Sequence, residues 1–426
     1  MKKIGFVGPV ATRSGYGAHA RDILESLLKM NKYDIQVISL PWGSTPMDAL
    51  ENDDELSKQI KSRIVANFAS QPDIFIQVSI PNEFQKVGRF NIGITAGIET
   101  TMCAAPWIEG CNRMDLIITT SQHSKKVFED MAFDQVDNQT KQKIGDLRLT
   151  TPIEVLLEGS DLTKYFKTTD IDQSVETALS QVKEKFAFLH VGHWIQGGVG
   201  ADRKDISMLV HTFCSAFKGV KDAPALILKT SGATFSIIDR QQCMSKIQQM
   251  RDAIGDDVPN VYLLHGNLSD IEMNSLYNHS KVKAMVSFTH GEGYGRPLQE
   301  FALTGKPVIA AGWSGHLDFL LPTHHILLPG ALVQVDKSAT NDWILPDSKW
   351  FTVNYSYAAN VLRHVVDNYK KYTEKSERGR LYIKNNFSIE AMDTAFASIL
   401  ETYDSQMPQA VTLQMPKLNL PKLQKV

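Results

Sequence analysis

The segment Ser287-Phe-Thr-His-Gly-Glu-Gly-Tyr-Gly-Arg-Pro-Leu-Gln-Glu300 gathers groups that could do chemistry. Gly291, Gly293 and Gly295 allow a backbone path that side chains would obstruct. Pro297 suits a first helical turn, where a missing N–H costs nothing. Gly305 then stops the helix, and Lys306-Pro-Val-Ile-Ala resumes a strand. A helix N-terminus with free amides near Gly295 and Leu298 is an anion site. Glu292 falls in the loop and Glu300 one turn into the helix. Two carboxylates beside an anion repel it unless each is occupied by donors, and polyol hydroxyls are such donors. The expected arrangement is one carboxylate on a sugar ring and one on a ribose, with a pyrophosphate between them. The plain alternative is a glycine-rich turn carrying two solvated glutamates; the paired glutamates favour chemistry.

The elements that must position this segment form two runs. In the first, Lys3–Gly8, Asp34–Leu40, Ile74–Ser79, Asn91–Thr95, Leu116–Thr120 and Ile153–Leu157 read as strands. Helices are expected over Ala18–Lys29, Ser57–Ala66 and His123–Met131, and Asp134–Leu147 reads as a polar surface insertion. A second run has strands at Phe186–Val191, Ala225–Lys229, Val261–Leu264, Ala284–Phe288 and Pro307–Ala310. Its helices fall at Met208–Phe217, Ile237–Ile254 and Asn274–His279. Strands alternating with helix-length segments call for parallel sheets covered on both faces. The fold class is therefore α/β, with two tandem Rossmann-like domains facing a cleft. Residues 1–166 form the first, expected to take the acceptor and completed by a terminal helix over about 386–405; residues 167–385 form the second, expected to take the donor, and 406–426 an extended tail. Such sheets bind ligands at the carboxyl ends of their strands.

The 426 residues, 43% hydrophobic, can bury full cores without covalent staples. Cys103, Cys111, Cys214 and Cys243 lack metal-ligand spacing and read as reduced thiols in a cytoplasmic protein. A net charge of −2 excludes a strong whole-chain basic field, so a polyanion would have to meet a local patch. No apolar run approaches the ~20 residues of a spanning helix. Asp53-Asp54 and Asp256-Asp257 sit in polar loops and are not read as metal motifs; His211, His279, His324 and His325 lack ligand spacing. No metal or cofactor is expected.

The frame Glu292-Gly-Tyr-Gly-Arg-Pro-Leu-Gln-Glu-Phe-Ala-Leu-Thr-Gly-Lys-Pro-Val-Ile309 resembles the group 1 (family 4) glycosyltransferases, which have the GT-B fold and retain anomeric configuration. Val155-Leu-Leu-Glu-Gly-Ser-Asp161 with Tyr165-Phe166 is similar to their interdomain segment, and Phe188-Leu-His-Val-Gly192 to the strand opening their second domain. The resemblance implies that Glu292 touches the donor sugar and Glu300 the ribose, while Lys204 and Arg203 hold the diphosphate. It also implies donor contacts from Gly293, Tyr294, Gly295, Arg296 and Leu298. The family usually has arginine after the glycine placed at Gly192; this chain has His193, and Arg203 stands in for that cation. Thr95-Ala-Gly-Ile-Glu-Thr100 occupies the place of the family's first-domain histidine, which makes Glu99 a candidate for orienting acceptor or sugar. The turn Gly8-Pro-Val-Ala-Thr-Arg-Ser-Gly-Tyr-Gly17 resembles the family's N-terminal glycine loop, bringing Gly15 and Gly17 toward the phosphate, with Arg13 and His19 as further cleft candidates. It lacks G-x-G-x-x-G spacing, which disfavours NAD. Lys229, ending a second-domain strand, is a candidate second phosphate ligand.

The co-substrate implied is a nucleotide-sugar, a UDP-sugar first among them. Ile80–Phe84, Gly97–Thr100 and Trp107–Asn112 resemble segments of glycosyltransferases encoded by tailed phages. That resemblance makes 5-hydroxymethylcytosine in phage DNA one acceptor and host cytoplasm the location. Arg13, Lys61, Arg63, Lys86, Arg89, Lys125 and Lys126 are the basic residues that could line a DNA groove. A polysaccharide or small glycan is the alternative acceptor. A non-catalytic sugar- or nucleic-acid-binding protein and a nucleotide-sugar epimerase are the readings from other classes.

Overall fold

The computed structural model describes residues 1–51, 54–137, 139–232 and 234–408. Asp53 and most of the expected tail, residues 409–426, lie outside the described residues. The first sheet contains β1 (Lys2–Gly8), β2 (Tyr33–Ser39), β3 (Ile74–Val78), β4 (Phe90–Thr95) and β5 (Leu116–Thr119). An antiparallel hairpin, β6 (Ala132–Val136) and β7 (Lys143–Arg148), precedes its last strand, β8 (Ile153–Val155). The order is β2-β1-β3-β4-β5-β8, parallel throughout.

The second sheet contains β9 (Ala187–Val191), β10 (Ala225–Lys229), β11 (Val261–Leu264), β12 (Val282–Ser287), β13 (Val308–Ala311) and β14 (Ile326–Leu328). Its order, β11-β10-β9-β12-β13-β14, is that of a dinucleotide-binding Rossmann sheet, and the strand order reverses between β9 and β12. The crevice at that reversal is where such sheets take ligands. It lies between Gly192 and Thr289, next to the paired glutamates.

Local chemistry explains the element ends. Ser14 accepts a hydrogen bond from the Gly17 amide at 2.9 Å, so the first helix begins at Gly15 rather than Ala18. Asn31 closes that helix in the left-handed region, φ 50°. Asp54 caps the helix Glu55–Lys61 by accepting from the Ser57 amide at 2.7 Å, a structural use of that aspartate.

Several elements carry no legible periodicity. The insertion expected over Asp134–Leu147 is an ordered hairpin whose Phe133 and Leu147 pack into the cluster around Trp107. The helix Tyr369–Asn386 buries only Ser376, Gly379 and Ile383, so it has no apolar stripe to read. A second hairpin, β15 (Gly330–Gln334) and β16 (Lys349–Val353), projects from the second domain. The loop between its strands crosses to the first domain. Trp343 lies 6.1 Å from Trp107, and the Thr101 amide donates to Lys349 O at 2.8 Å.

The chain also returns. Ser160 and the Phe387–Ile389 backbone exchange hydrogen bonds of 2.8 and 3.0 Å, and the helix Ile389–Thr402 inserts Met392, Phe396 and Leu400 into the first-domain core with Ile23 and Leu27. Gly159 sits at this crossing because a Cβ there would stand 2.7 Å from Ile389 Cα. All four cysteines are free and buried. Among the described residues no helix is long and apolar enough to cross a membrane.

Phe396 is fully buried in a core that also contains Ile4, Ile23, Leu27 and Ile35 from the opposite end of the chain. Phe396→Ala is expected to destabilise the protein by ~3–5 kcal/mol. Urea unfolding followed by circular dichroism checks this; a loss below ~1 kcal/mol would detach the terminal helix from the first-domain core.

Candidate functional site

At the β9–β12 reversal two ion pairs meet. Lys204 Nζ donates to both carboxylate oxygens of Glu292, at 2.5 and 2.6 Å. Arg203 Nη1 donates to Glu99 Oε1 at 2.7 Å, joining second domain to first. Burial pushes the Glu292 carboxyl up, but Lys204 and Arg203 beside it outweigh that and hold it down to about 2. Burial lowers the Lys204 pKa, with Glu292 opposing. His193, whose Nδ1 lies 3.2 Å from Ser231 Oγ, is pushed toward the neutral form by lost hydration and then by Lys204, Lys229 and Arg203. His316 is fully buried beside the same group, its Nε2 donating to Ala311 O at 2.7 Å; no sequence signal singled it out.

The glycines around Glu292 serve different ends. Only Gly295 has positive φ, 102°, and it caps the helix Arg296–Ala302. A Cβ on Gly291 would collide with the carbonyl of Glu99, and one on Gly293 would stand 2.6 Å from Ala96 O. These two glycines let the loop press on the first domain. Thr120 Oγ1 donates to Gly293 O at 3.5 Å, and the Gln122 amide to Asp318 at 2.8 Å, along the same seam.

A second cluster lies one turn into that helix. Arg296 pairs with Asp22, stands 3.5 Å from Glu158 and 3.7 Å from Glu300. Tyr277 O–H donates to Glu300 Oε2 at 3.2 Å. Burial pushes Asp22 up to about 6, Glu158 to about 7 and Glu300 to about 8, each against the pull of Arg296. His19 is 3% exposed, and neither ring nitrogen has a hydrogen-bond partner among the described residues. Burial, with Arg296 adding to it, holds its pKa near 3. Asp22, Glu158 and Tyr277 were not singled out from sequence. Asp22 is an ordinary helical aspartate until the fold brings it to Arg296.

The expected donor-binding residues therefore divide. Glu99, His193, Arg203, Lys204 and Glu292 converge. Lys229 stands at the neighbouring strand end, where burial lowers its pKa to about 8 and its ammonium donates to Gly266 O at 2.7 Å. Gly15 faces open space. Others are spent inside the fold, contrary to expectation. The Gly17 amide donates to the capping hydroxyl of Ser14, and the Leu298 amide donates to Gly295 O at 3.0 Å. Tyr294 is 3% exposed and its hydroxyl donates to Glu158 O at 2.7 Å, so it ties the loop to the connection that follows β8. Arg13 pairs with Asp48 at 2.6 Å. Among the described residues no group of three or more His, Cys, Asp or Glu is placed to hold a metal ion.

No family model and no curated protein matches the sequence. Solved structures do match the shape. The HepE protein of Anabaena, in complex with UDP and glucose, aligns over 94% of this chain and 100% of its own, with TM-score 0.59 and 16% identity. Sucrose-phosphate synthase from Thermosynechococcus elongatus aligns over 95% and 100%, with TM-score 0.62 and 12% identity. The fold is GT-B. A glycosyltransferase from Rickettsia africae also shares it, with TM-score 0.59 and 12% identity over 94% of this chain and 98% of its own. In this GT-B chain the cleft between the two Rossmann-like domains is closed on the two ion pairs.

Two outcomes are expected. Gly291→Ala should push the Ala96–Glu99 loop away, costing ~1–3 kcal/mol and widening the cleft; urea unfolding and small-angle X-ray scattering check both. Second, each carboxyl around Arg296 has a folded-state pKa above its ordinary value. Their contribution to stability is full below about pH 4 and falls as pH rises through about 6 to 8. Urea unfolding free energy should decline over that window, and Glu158→Gln should make the decline shallower.

Proposed function

We propose that the chain is a glycosyltransferase that moves a sugar from a nucleoside diphosphate to a hydroxyl acceptor with retention of configuration. The observation that carries this reading is the Lys204–Glu292 pair, 2.5 Å across, beside Arg203 at the strand-order reversal of a Rossmann sheet. A buried ion pair contributes little net stability over apolar packing, so its presence in a cleft favours work on a ligand. The donor diphosphate takes the place of carboxylate as the partner of Lys204 and Arg203. Glu292 is then released to accept hydrogen bonds from sugar hydroxyls. Glu300 does the same for ribose hydroxyls, with Tyr277 orienting it. HepE is described with UDP-glucose, which supports a UDP-sugar as donor.

The bond from the anomeric carbon to the diphosphate oxygen breaks, and its electron pair leaves with the diphosphate. The acceptor oxygen bonds to that carbon on the same face, and its proton passes to the departing phosphate oxygen. Lys204 and Arg203 absorb the charge that develops there, the preorganised electrostatic role that dominates many such reactions. Glu99, held by Arg203, stands on the first-domain side and orients the incoming hydroxyl. None of these steps requires a metal.

A DNA acceptor has less support. Of the first-domain basic residues that could line a groove, Arg13, Lys86, Arg89, Lys125 and Lys126 each lie within 4.0 Å of a carboxylate. Each would exchange its carboxylate for a phosphate at a cost of about 0–1 kcal/mol for an exposed pair.

Mass spectrometry of a UDP-sugar panel incubated without acceptor should detect slow hydrolysis to UDP and free sugar. Interconversion of the sugar with no hydrolysis would instead mark an epimerase, and inertness a binding protein. Lys204→Ala should lose ~3 kcal/mol of transition-state stabilisation, a few hundredfold in kcat. A variant retaining most of its kcat removes the assignment. Glu300→Ala should chiefly weaken UDP binding, and unchanged affinity in a calorimetric titration removes its ribose role.

A further inference from the structure

A closed ring of contacts joins the two domains through the hairpin β15–β16. On the first domain it passes through Glu99 and Thr101, two positions apart in one loop. Glu99 accepts from Arg203, and Thr101 exchanges hydrogen bonds of 2.8 and 2.9 Å with the Lys349 backbone at the start of β16. The connection between the hairpin strands adds a further anchor, because Trp343 and Leu345 pack into the cluster around Trp107. Asn341 Oδ1 accepts from the Trp343 and Ile344 amides at 2.8 and 2.9 Å, a turn that fixes the backbone carrying Trp343.

On the second domain the ring closes at His290, two positions before Glu292. Its amide donates to Arg203 O at 2.9 Å, and its carbonyl accepts from the Phe351 amide of β16 at 3.0 Å. Its side chain is fully buried and stacks on the Trp350 ring at 4.2 Å. Nδ1 stands 2.7 Å from Phe351 O and Nε2 3.2 Å from Gly200 O. One nitrogen thus faces the hairpin and the other the turn that carries Arg203 and Lys204. Both can donate only in the imidazolium form. Burial opposes that form, while the two carbonyls and Asp202 favour it. In either form the ring occupies the space between hairpin and turn.

We infer that His290 is a positioning residue that couples docking of the hairpin on the first domain to the placement of Arg203 and Lys204, an inference that rests on the reading of those cations as diphosphate ligands. Undocking of Trp343 and Thr101 frees β16 to shift. The strand carries His290 with it, because Trp350 and Phe351 hold that residue by stacking and by hydrogen bonds. His290 in turn moves the Gly200–Lys204 turn through Gly200 O and Arg203 O. Such a hydrogen-bonded chain carries coupling between two domains. The cations are correctly placed for a diphosphate only when the hairpin is seated.

Calorimetric titration of the full chain with UDP, and with uridine in competition with UDP, separates binding of the diphosphate from binding of the nucleoside. His290→Phe keeps an aromatic ring on Trp350 and both backbone hydrogen bonds, and removes the ring nitrogens. It should weaken UDP about tenfold, the loss of one or two hydrogen bonds, and leave uridine affinity unchanged. Trp343→Ala, in the partly buried connection, should weaken UDP selectively as well. The double variant should weaken UDP no more than the stronger single variant, because both break one link. Equal weakening of UDP and uridine by His290→Phe marks a purely structural role and overturns the inference, as does unchanged UDP affinity. Losses that add in the double variant detach His290 from the hairpin and overturn it too. Should His290→Phe fail to fold, Trp343→Ala decides alone, and an unchanged ratio of UDP to uridine affinity overturns the coupling. A parent protein that binds no UDP removes the diphosphate reading and the inference together. UDP binding that the variants leave intact removes the inference and keeps that reading.

Discussion

Two cations on consecutive residues, Arg203 and Lys204, each hold a carboxylate, one on the first domain and one on the glycine loop of the second. The rest of the cleft depends on this double grip. A lysine taken out of water is costly unless its charge is met, and removing the partner of a buried charge costs ~3–5 kcal/mol. Glu292 meets Lys204 with both oxygens, and Arg203 meets Glu99 across the seam. Gly291 and Gly293 then make the approach sterically feasible, because the carbonyls of Glu99 and Ala96 occupy the space where their side chains would be. Charge and van der Waals contact thus favour the same closed arrangement.

The second cluster works by a different balance. Three carboxylates share Arg296, and burial raises all three toward neutral pH. One guanidinium cannot neutralise three anions, so part of the cluster carries protons under ordinary conditions. Asp22 belongs to the first domain, Glu158 to the connection that follows β8 and Glu300 to the second domain, so the protonation of this group is coupled to how the domains meet. Tyr277 supplies Glu300 with a hydroxyl donor, the same kind of contact a ribose offers. The protein therefore satisfies the carboxylate internally with the chemistry of the ligand proposed for it.

The hairpin β15–β16 adds a third contact across the cleft, and it is the one that builds a cavity rather than filling one. Its connecting loop carries Trp343 to within 6.1 Å of Trp107 in the first domain, while Ala339, Asn341 and Ile344 line a cavity of the second.

The sequence by itself determined the two α/β units, most of their strands and the terminal helix Ile389–Thr402, which falls within the expected 386–405. Hydrophobic runs of strand length, and glycine and proline at their ends, are local signals set by short-range sterics and burial. The Glu292–Glu300 spacing was legible for the same reason: a strand, a glycine turn and a proline at the helix start fix one another within a few residues. Elements without such signals were missed, including the charged helix Tyr369–Asn386 and both hairpins. Tertiary structure alone decided partnership. Nothing near Asp22 in the chain announces Arg296, nothing near Glu99 announces Arg203, and the engagement of the Gly17 and Leu298 amides depends on cap geometry that a glycine or leucine does not specify. Contacts between residues more than a hundred positions apart follow from how two sheets pack, and packing is a property of the whole fold rather than of any segment.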